Sequence, residues 1–127
     1  AQAEGPVKTL ADIKGKPFGY GGQASTSSHL IPRAHLLKNG LDGSKDYKPV
    51  HLGTHDGVAR AVQNGQVPAG ALSKAIYEAL IARKSIDGSK LTVLAVTDPI
   101  PNYPMTMQAD LTPELKDKIR KAFIELK

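Results

Sequence analysis

Four consecutive hydroxyl residues, Ser25-Thr26-Ser27-Ser28, stand directly after Gly21-Gly22-Gln23-Ala24 and directly before an apolar helical pattern. Alcohols add little to a core, but they donate and accept hydrogen bonds without adding charge. At a helix start they lie beside unpaired N–H groups and the positive end of the helix dipole, where a tetrahedral oxyanion finds many donors. The glycines permit close backbone approach, and the lack of a following Gly-Lys-Ser/Thr separates this loop from a P-loop. A plainer reading is also open: one hydroxyl caps the helix and the rest are polar loop residues. His55, in Gly53-Thr54-His55-Asp56-Gly57, likewise sits between a predicted strand and a predicted helix. It is either a donor to an anion at the same sheet edge or a solvated loop histidine.

Other chemistries find less support. The chain has no cysteine, which excludes disulfides, thiolate metal sites and cysteine nucleophiles. His29 and His35 fall on different helix faces, and neither they nor His51 and His55 have a carboxylate at ligand spacing, so no metal site and no cofactor is expected. There is no Gly-x-Ser-x-Gly elbow, and adjacency of His55 and Asp56 does not make a triad. No catalytic residue is assigned, and the chain reads as a binding protein rather than an enzyme.

These candidates need a sheet edge to gather them. The 127 residues suit one domain. Strands are predicted at Lys16–Gly21, Tyr47–Gly53, Val67–Leu72 and Leu91–Val96, with a further strand-like Met105-Thr106-Met107. Helices are predicted over Ser28–Asn39 (Leu30, Ala34, Leu37 and then Leu41 as its apolar members), Asp56–Asn64, Ser73–Lys84 with Ser73 as cap, and from Thr112-Pro113-Glu114 onward with Leu115, Ile119, Phe123 and Leu126 on one face. Alternation of this kind predicts an α/β fold, a mainly parallel open sheet of about five strands with helices on both faces. Leu41-Asp42-Gly43-Ser44-Lys45 and Ile86-Asp87-Gly88-Ser89-Lys90 repeat one turn chemistry, each after a helix.

The net charge of +5 favours anionic partners, but the lysines are dispersed and aromatics are scarce, so nucleic acid is not expected as a partner. Lys116, Lys118, Arg120 and Lys121 read as the wet face of the last helix. No apolar segment approaches the ~20 residues of a membrane span.

The order of several motifs resembles the phosphonate/phosphite/phosphate-binding proteins of ABC importers. Lys8-Thr9-Leu10-Ala11-Asp12-Ile13-Lys14-Gly15-Lys16, Ser25-Thr26-Ser27 with Leu30-Ile31-Pro32-Arg33, Gly53-Thr54-His55-Asp56, Asn64-Gly65-Gln66-Val67, Pro99-Ile100-Pro101-Asn102-Tyr103-Pro104 and Asp110-Leu111-Thr112-Pro113-Glu114-Leu115 carry the likeness. The resemblance implies one lobe of a two-lobed (type II) periplasmic-binding-protein fold, periplasmic or otherwise extracytoplasmic. Residues 1–99 would be the ligand-binding lobe, and 100–127 the hinge segment, a strand and the C-terminal helix. It implies ligand contacts from Ser25, Thr26, Ser27 and His55, with Ser28 as an added donor and Tyr103 as a cleft-lining hinge residue. The partners implied are a small phosphorus oxyanion, a transporter permease, and a missing first lobe or a second copy of the chain.

Ser28 departs from the glycine usual after Ser-Thr-Ser, and Gly22-Gln23 from the common Asp-Pro. Lys74 and Asn102 stand where aminophosphonate binders carry carboxylates, which favours phosphate, phosphite or a simple alkylphosphonate. The alternative is an interaction or sensor module that keeps the lobe architecture and pairs with another chain through Pro99–Met107.

Overall fold

The structure, a computed structural model, describes residues 1–126. Strands β1 (Pro17–Tyr20), β2 (Lys48–His51) and β3 (Ala69–Gly70) form one parallel sheet in the order β2-β1-β3. Helix α1 (Ile31–Lys38) links β1 to β2, α2 (His55–Gln63) links β2 to β3, and α3 (Lys74–Ala82) and α4 (Pro113–Glu125) follow. In register, Phe18 lies beside Pro49 and Ala69, and Gly19 beside Val50 and Gly70. Pro49 has no N–H to offer, which suits an edge strand.

Alternation along β1 separates two cores. Phe18 and Tyr20 face Val7, Ile13, Leu36 of α1, Leu41 and Tyr47. Gly19 faces the opposite way, toward Leu52 and Val67, where Val58, Ala61 and Val62 of α2 gather with Val50. Helices therefore cover both faces, and α3 packs beside α2 through Ala59, Leu80 and Ile86. Two expectations about burial shift. In α1 the buried residue is Leu36, while Leu30 and Leu37 are 51% and 58% exposed. In α4 no residue is buried, so its apolar face meets solvent rather than the sheet.

The sheet has three strands, not about five. The edge beside β3 is taken by the first residues of the chain: Gln2 N–H donates to Pro68 O at 3.0 Å, and Ala3 N–H donates to Lys90 O at 2.8 Å. Gln2 bridges Leu91 in antiparallel sense. With that edge occupied, the strand expected at Leu91–Val96 does not form, and Val93 and Val96 are mostly exposed. Met105-Thr106-Met107 is likewise extended and exposed without a strand partner among the described residues.

Turn chemistry matches the repeat seen in sequence. Asp42 Oδ1 accepts from Ser44 N–H and Oγ, and Asp87 Oδ1 accepts from Ser89 N–H and Oγ, while Leu41 and Ile86 anchor each turn in the core. Asp12 accepts from the amides of Lys8 and Thr9 and from the Thr9 hydroxyl. These bonds favour the ionised carboxylates and lower all three pKa values from 3.8. A carboxylate with a depressed native pKa stabilises the fold above its unfolded pKa, and that contribution is lost as pH falls through the native value. Thermal midpoints measured from pH 6 down to pH 2 are therefore expected to carry the full Asp87 contribution, independent of pH, at the upper end and to lose it below 3.8, with a shallower drop in Asp87→Asn.

Helix α2 crosses β3 at close range because Gly70 has no side chain: an added Cβ would lie 2.7 Å from Val58 Cγ1 and 2.9 Å from Gly19 O. Gly70→Ala is expected to cost about 1–3 kcal/mol by overpacking, read from denaturant unfolding. Unchanged stability would contradict this packing.

Candidate functional site

The strand order makes the chain leave β1 toward one side of the sheet and leave β2 toward the other. At such a switch point the loops beyond the carboxyl ends of the strands part and leave a crevice. Three of them meet here: the loop from Gly21 to Ser25, the turn Leu52–Thr54, and the segment Ala71–Ser73.

The first loop ends in one π-helical turn, Thr26–Leu30, running directly into α1. Ser25 is its N-cap, and its carbonyl accepts from both His29 N–H at 3.2 Å and Leu30 N–H at 3.0 Å. The Ser25 Oγ accepts from Ser28 N–H and from Ser28 Oγ. Both lone pairs of that hydroxyl are thus used and its own proton is left to donate outward. Thr26 is exposed and Ser27 half-buried, and neither residue's amide or hydroxyl donates to a partner among the described residues. These are the orphan donors of a helix start, supplemented by two alcohols.

Ser28 is placed differently from its neighbours. Expected as an added ligand donor, it is buried, with its hydroxyl spent on Ser25. It fills the space above Gly21, where an added Cβ would come within 2.1 Å of Ser28 Oγ. Its polar atoms therefore brace the loop rather than face the opening.

The second loop turns sharply at Gly53, with φ of +79°, a conformation that favours glycine. Thr54 caps α2 by accepting from Gly57 N–H at 3.0 Å, and His55 becomes the helix's first residue. The half-buried His55 accepts the Ser73 N–H on Nδ1 at 3.0 Å. Because a backbone amide can only donate, Nδ1 is unprotonated and the neutral ring carries its hydrogen on Nε2. Burial lowers the His55 pKa from 6.5, against a smaller opposing influence from Asp56. The ring is therefore a neutral, oriented N–H donor near pH 7.

Ser73 was a missed member of this group. Sequence assigns it as the cap of α3, but its side chain makes no capping bond; its amide aligns His55 instead. Its place between a strand end and a helix start, like that of Ser25 and Thr54, was the available signal. Tyr103 does not join the group. It lies 82% exposed in the irregular segment that precedes α4. Among the described residues no three His, Asp or Glu side chains gather as metal ligands, and no helix is long and apolar enough to cross a membrane.

Comparison with known proteins covers the whole chain. The family described as "ABC transporter, phosphonate, periplasmic substrate-binding protein" matches residues 1–127. The chain is 30% identical over 131 aligned positions to a probable ABC transporter phosphite binding protein of Prochlorococcus marinus, covering 95% of this chain and 44% of that protein. It is 28% identical to a phosphate-import protein of Mycolicibacterium smegmatis, covering 96% of this chain and 40% of that protein. Its fold matches the crystal structure of a binding-protein component of an ABC phosphonate transporter from Pseudomonas aeruginosa with a TM-score of 0.79 and 29% identity, over 97% of this chain and 42% of the other. The chain thus spans less than half the length of these relatives.

A histidine NMR titration checks the geometry at His55. Its midpoint is expected below 6.5, with the Nε2–H tautomer in the neutral state. Sign follows from burial: the unfolded chain takes up the proton more readily, so this residue's contribution to stability is present above pH 6.5 and fades on acidification through the native pKa. An Nδ1–H tautomer would contradict the Ser73 bond.

Proposed function

The chain belongs to the family of periplasmic phosphonate substrate-binding proteins of ABC transporters, a family of binding proteins rather than enzymes, and from that premise we propose that it binds a phosphorus oxyanion at the start of the helix that opens with Ser25. The ligand is a phosphonate, phosphite or phosphate. Ser25 donates its hydroxyl hydrogen, Thr26 and Ser27 donate hydroxyl and amide hydrogens, and His55 Nε2–H donates from the neighbouring loop. The binding unit acts as one lobe of a two-lobed protein that delivers its ligand to a transporter permease. Residues 1–99 form that lobe, and 100–127, with Tyr103, belong to the hinge side of the cleft.

The observation that carries this reading is the pairing of an unspent donor set at Thr26 and Ser27 with a histidine whose hydrogen is aimed by Ser73. A pure capping role needs neither. The phosphite-binding and phosphate-import names of the relatives agree with the ligand class. Lys74, the first residue of α3, forms a 3.7 Å exposed ion pair with Glu78 and adds positive charge beside Ser73. An ammonium-bearing ligand would need a carboxylate there, so a simple oxyanion fits better.

One lobe alone leaves the anion half in water, where each donor competes with solvent. Calorimetry on the 127-residue chain with methylphosphonate, phosphite and phosphate is expected to show millimolar or weaker affinity. Amide NMR titration with phosphite is expected to move Ser25, Thr26, Ser27, His55 and Ser73, and Thr26→Ala with Ser27→Ala to abolish the response. Shifts confined to other regions would overturn the site, and tight binding by the chain alone would overturn the half-cleft.

A further inference from the structure

Two histidines outside the ligand-facing set hold the loop before Ser25. His29, in the π-helical turn and 7% exposed, lies with Nδ1 2.7 Å from the carbonyl oxygen of Gln23. His51, the last residue of β2, lies with Nδ1 3.3 Å from the carbonyl oxygen of Gly21. A carbonyl only accepts, so each ring donates its Nδ1–H. The two rings meet edge to face, with centroids 4.7 Å apart, and both lie against Tyr20, His29 edge-on and His51 tilted.

A trans peptide points its C=O and the next residue's N–H in opposite directions. Drawing the Gly21 and Gln23 carbonyls onto the imidazoles therefore turns the amides of Gly22 and Ala24 away from the Tyr20 layer. Neither amide has a partner among the described residues. Gly22 is half-buried and Ala24 exposed.

We propose that His29 and His51 are positioning residues, which set the Gly21–Ala24 loop so that the Gly22 and Ala24 N–H groups join Ser25–Ser27 in holding the oxyanion. This rests on the binding site proposed above. Backbone amides turned outward in a loop can hold an anion without a charged side chain, and here two alternate ones, at Gly22 and Ala24, stand beside the Ser25–Ser27 donors. His29 suits the task because its buried ring lies against Tyr20, which fixes the direction of the Nδ1–H.

Amide hydrogen exchange and inorganic phosphate titration on the 127-residue chain test this. The Ser25 N–H closes on Gly22 O at 2.9 Å and reports loop order without any anion. His29→Phe keeps an aromatic ring and removes the donor; its Ser25 exchange is expected to rise about tenfold. His29→Asn, which returns a side-chain N–H near the same place, is expected to recover most of that protection. His51→Phe, at an exposed position where folding is not at stake, is expected to loosen Gly22 and weaken its response to phosphate. With phosphate, Gly22 and Ala24 are expected to shift together with Ser25–Ser27.

Unchanged exchange in His29→Phe, or His29→Asn as fast as His29→Phe, would overturn the positioning role. Phosphate shifts at Ser25–Ser27 without Gly22 and Ala24 would overturn the added donors and leave the binding site standing. No shift at Ser25–Ser27 or His55 would sink the binding site, and the donors at Gly22 and Ala24 with it.

Discussion

Parallel pairing of β1 between β2 and β3 is the constraint from which the rest follows. It puts three strand ends on one edge, and the central position of β1 sends its own exit to one face and that of β2 to the other. The helix starts that follow β2 and β3 then lie beyond that edge, joined by the Ser73 N–H to His55 bond. The small residues at Gly19 and Gly70 permit this, since α2 and its core approach the sheet within van der Waals contact. A side chain at either place would lift α2, and with it His55, off the edge.

The proposed site gathers donors rather than charges. Lysines and arginines outnumber acids by 17 to 12 over the chain, enough to favour approach of anions at low salt, but that field is long-range and nonspecific. On the proposed reading, discrimination falls to the groups with fixed direction. Ser25 Oγ is oriented by Ser28, His55 by Ser73, and the loop carbonyls by His29 and His51. Ser25 Oγ and His55 are thus each backed by a partner that leaves one hydrogen and one direction free, whereas Thr26 and Ser27 carry no such partner among the described residues. Preorganisation of this sort reduces the entropy lost on binding, which matters most for a small, strongly hydrated guest.

Much of this was legible in sequence because local chemistry and tertiary structure agree. Ser25 and Thr112 each precede a helix and each accept from the amide three residues on. The two Asp-Gly-Ser-Lys turns repeat the same bonds. What was not legible depends on long-range choices. Leu36 and Leu37 are equally apolar, and only the position of Phe18 and Tyr20 decides which is buried. Leu91–Val96 reads as a covered strand, but Ala1–Ala3 occupies the edge it would have paired with. Ser28 looks like its three neighbours until the bare space above Gly21 is known. The role of Ser73 is carried by its backbone, which residue type does not encode.

The exposed apolar run from Val93 to Met107 and the bare face of α4 fit the same account. A lobe that holds an anion by directed neutral donors gains little until water is excluded, because each donor it offers is otherwise satisfied by solvent at nearly equal free energy. Excluding water requires a second surface brought over the first, on chain that crosses between them. Such connecting chain has to be extended and cannot be spent on the core of either side. Its apolar residues therefore lie outside the packing of this lobe, as Val93, Val96, Ile100, Tyr103 and Met105 do. On the proposed reading, the weak affinity expected of the isolated donor set and the unburied tail then share one cause: a binding surface completed only by closure.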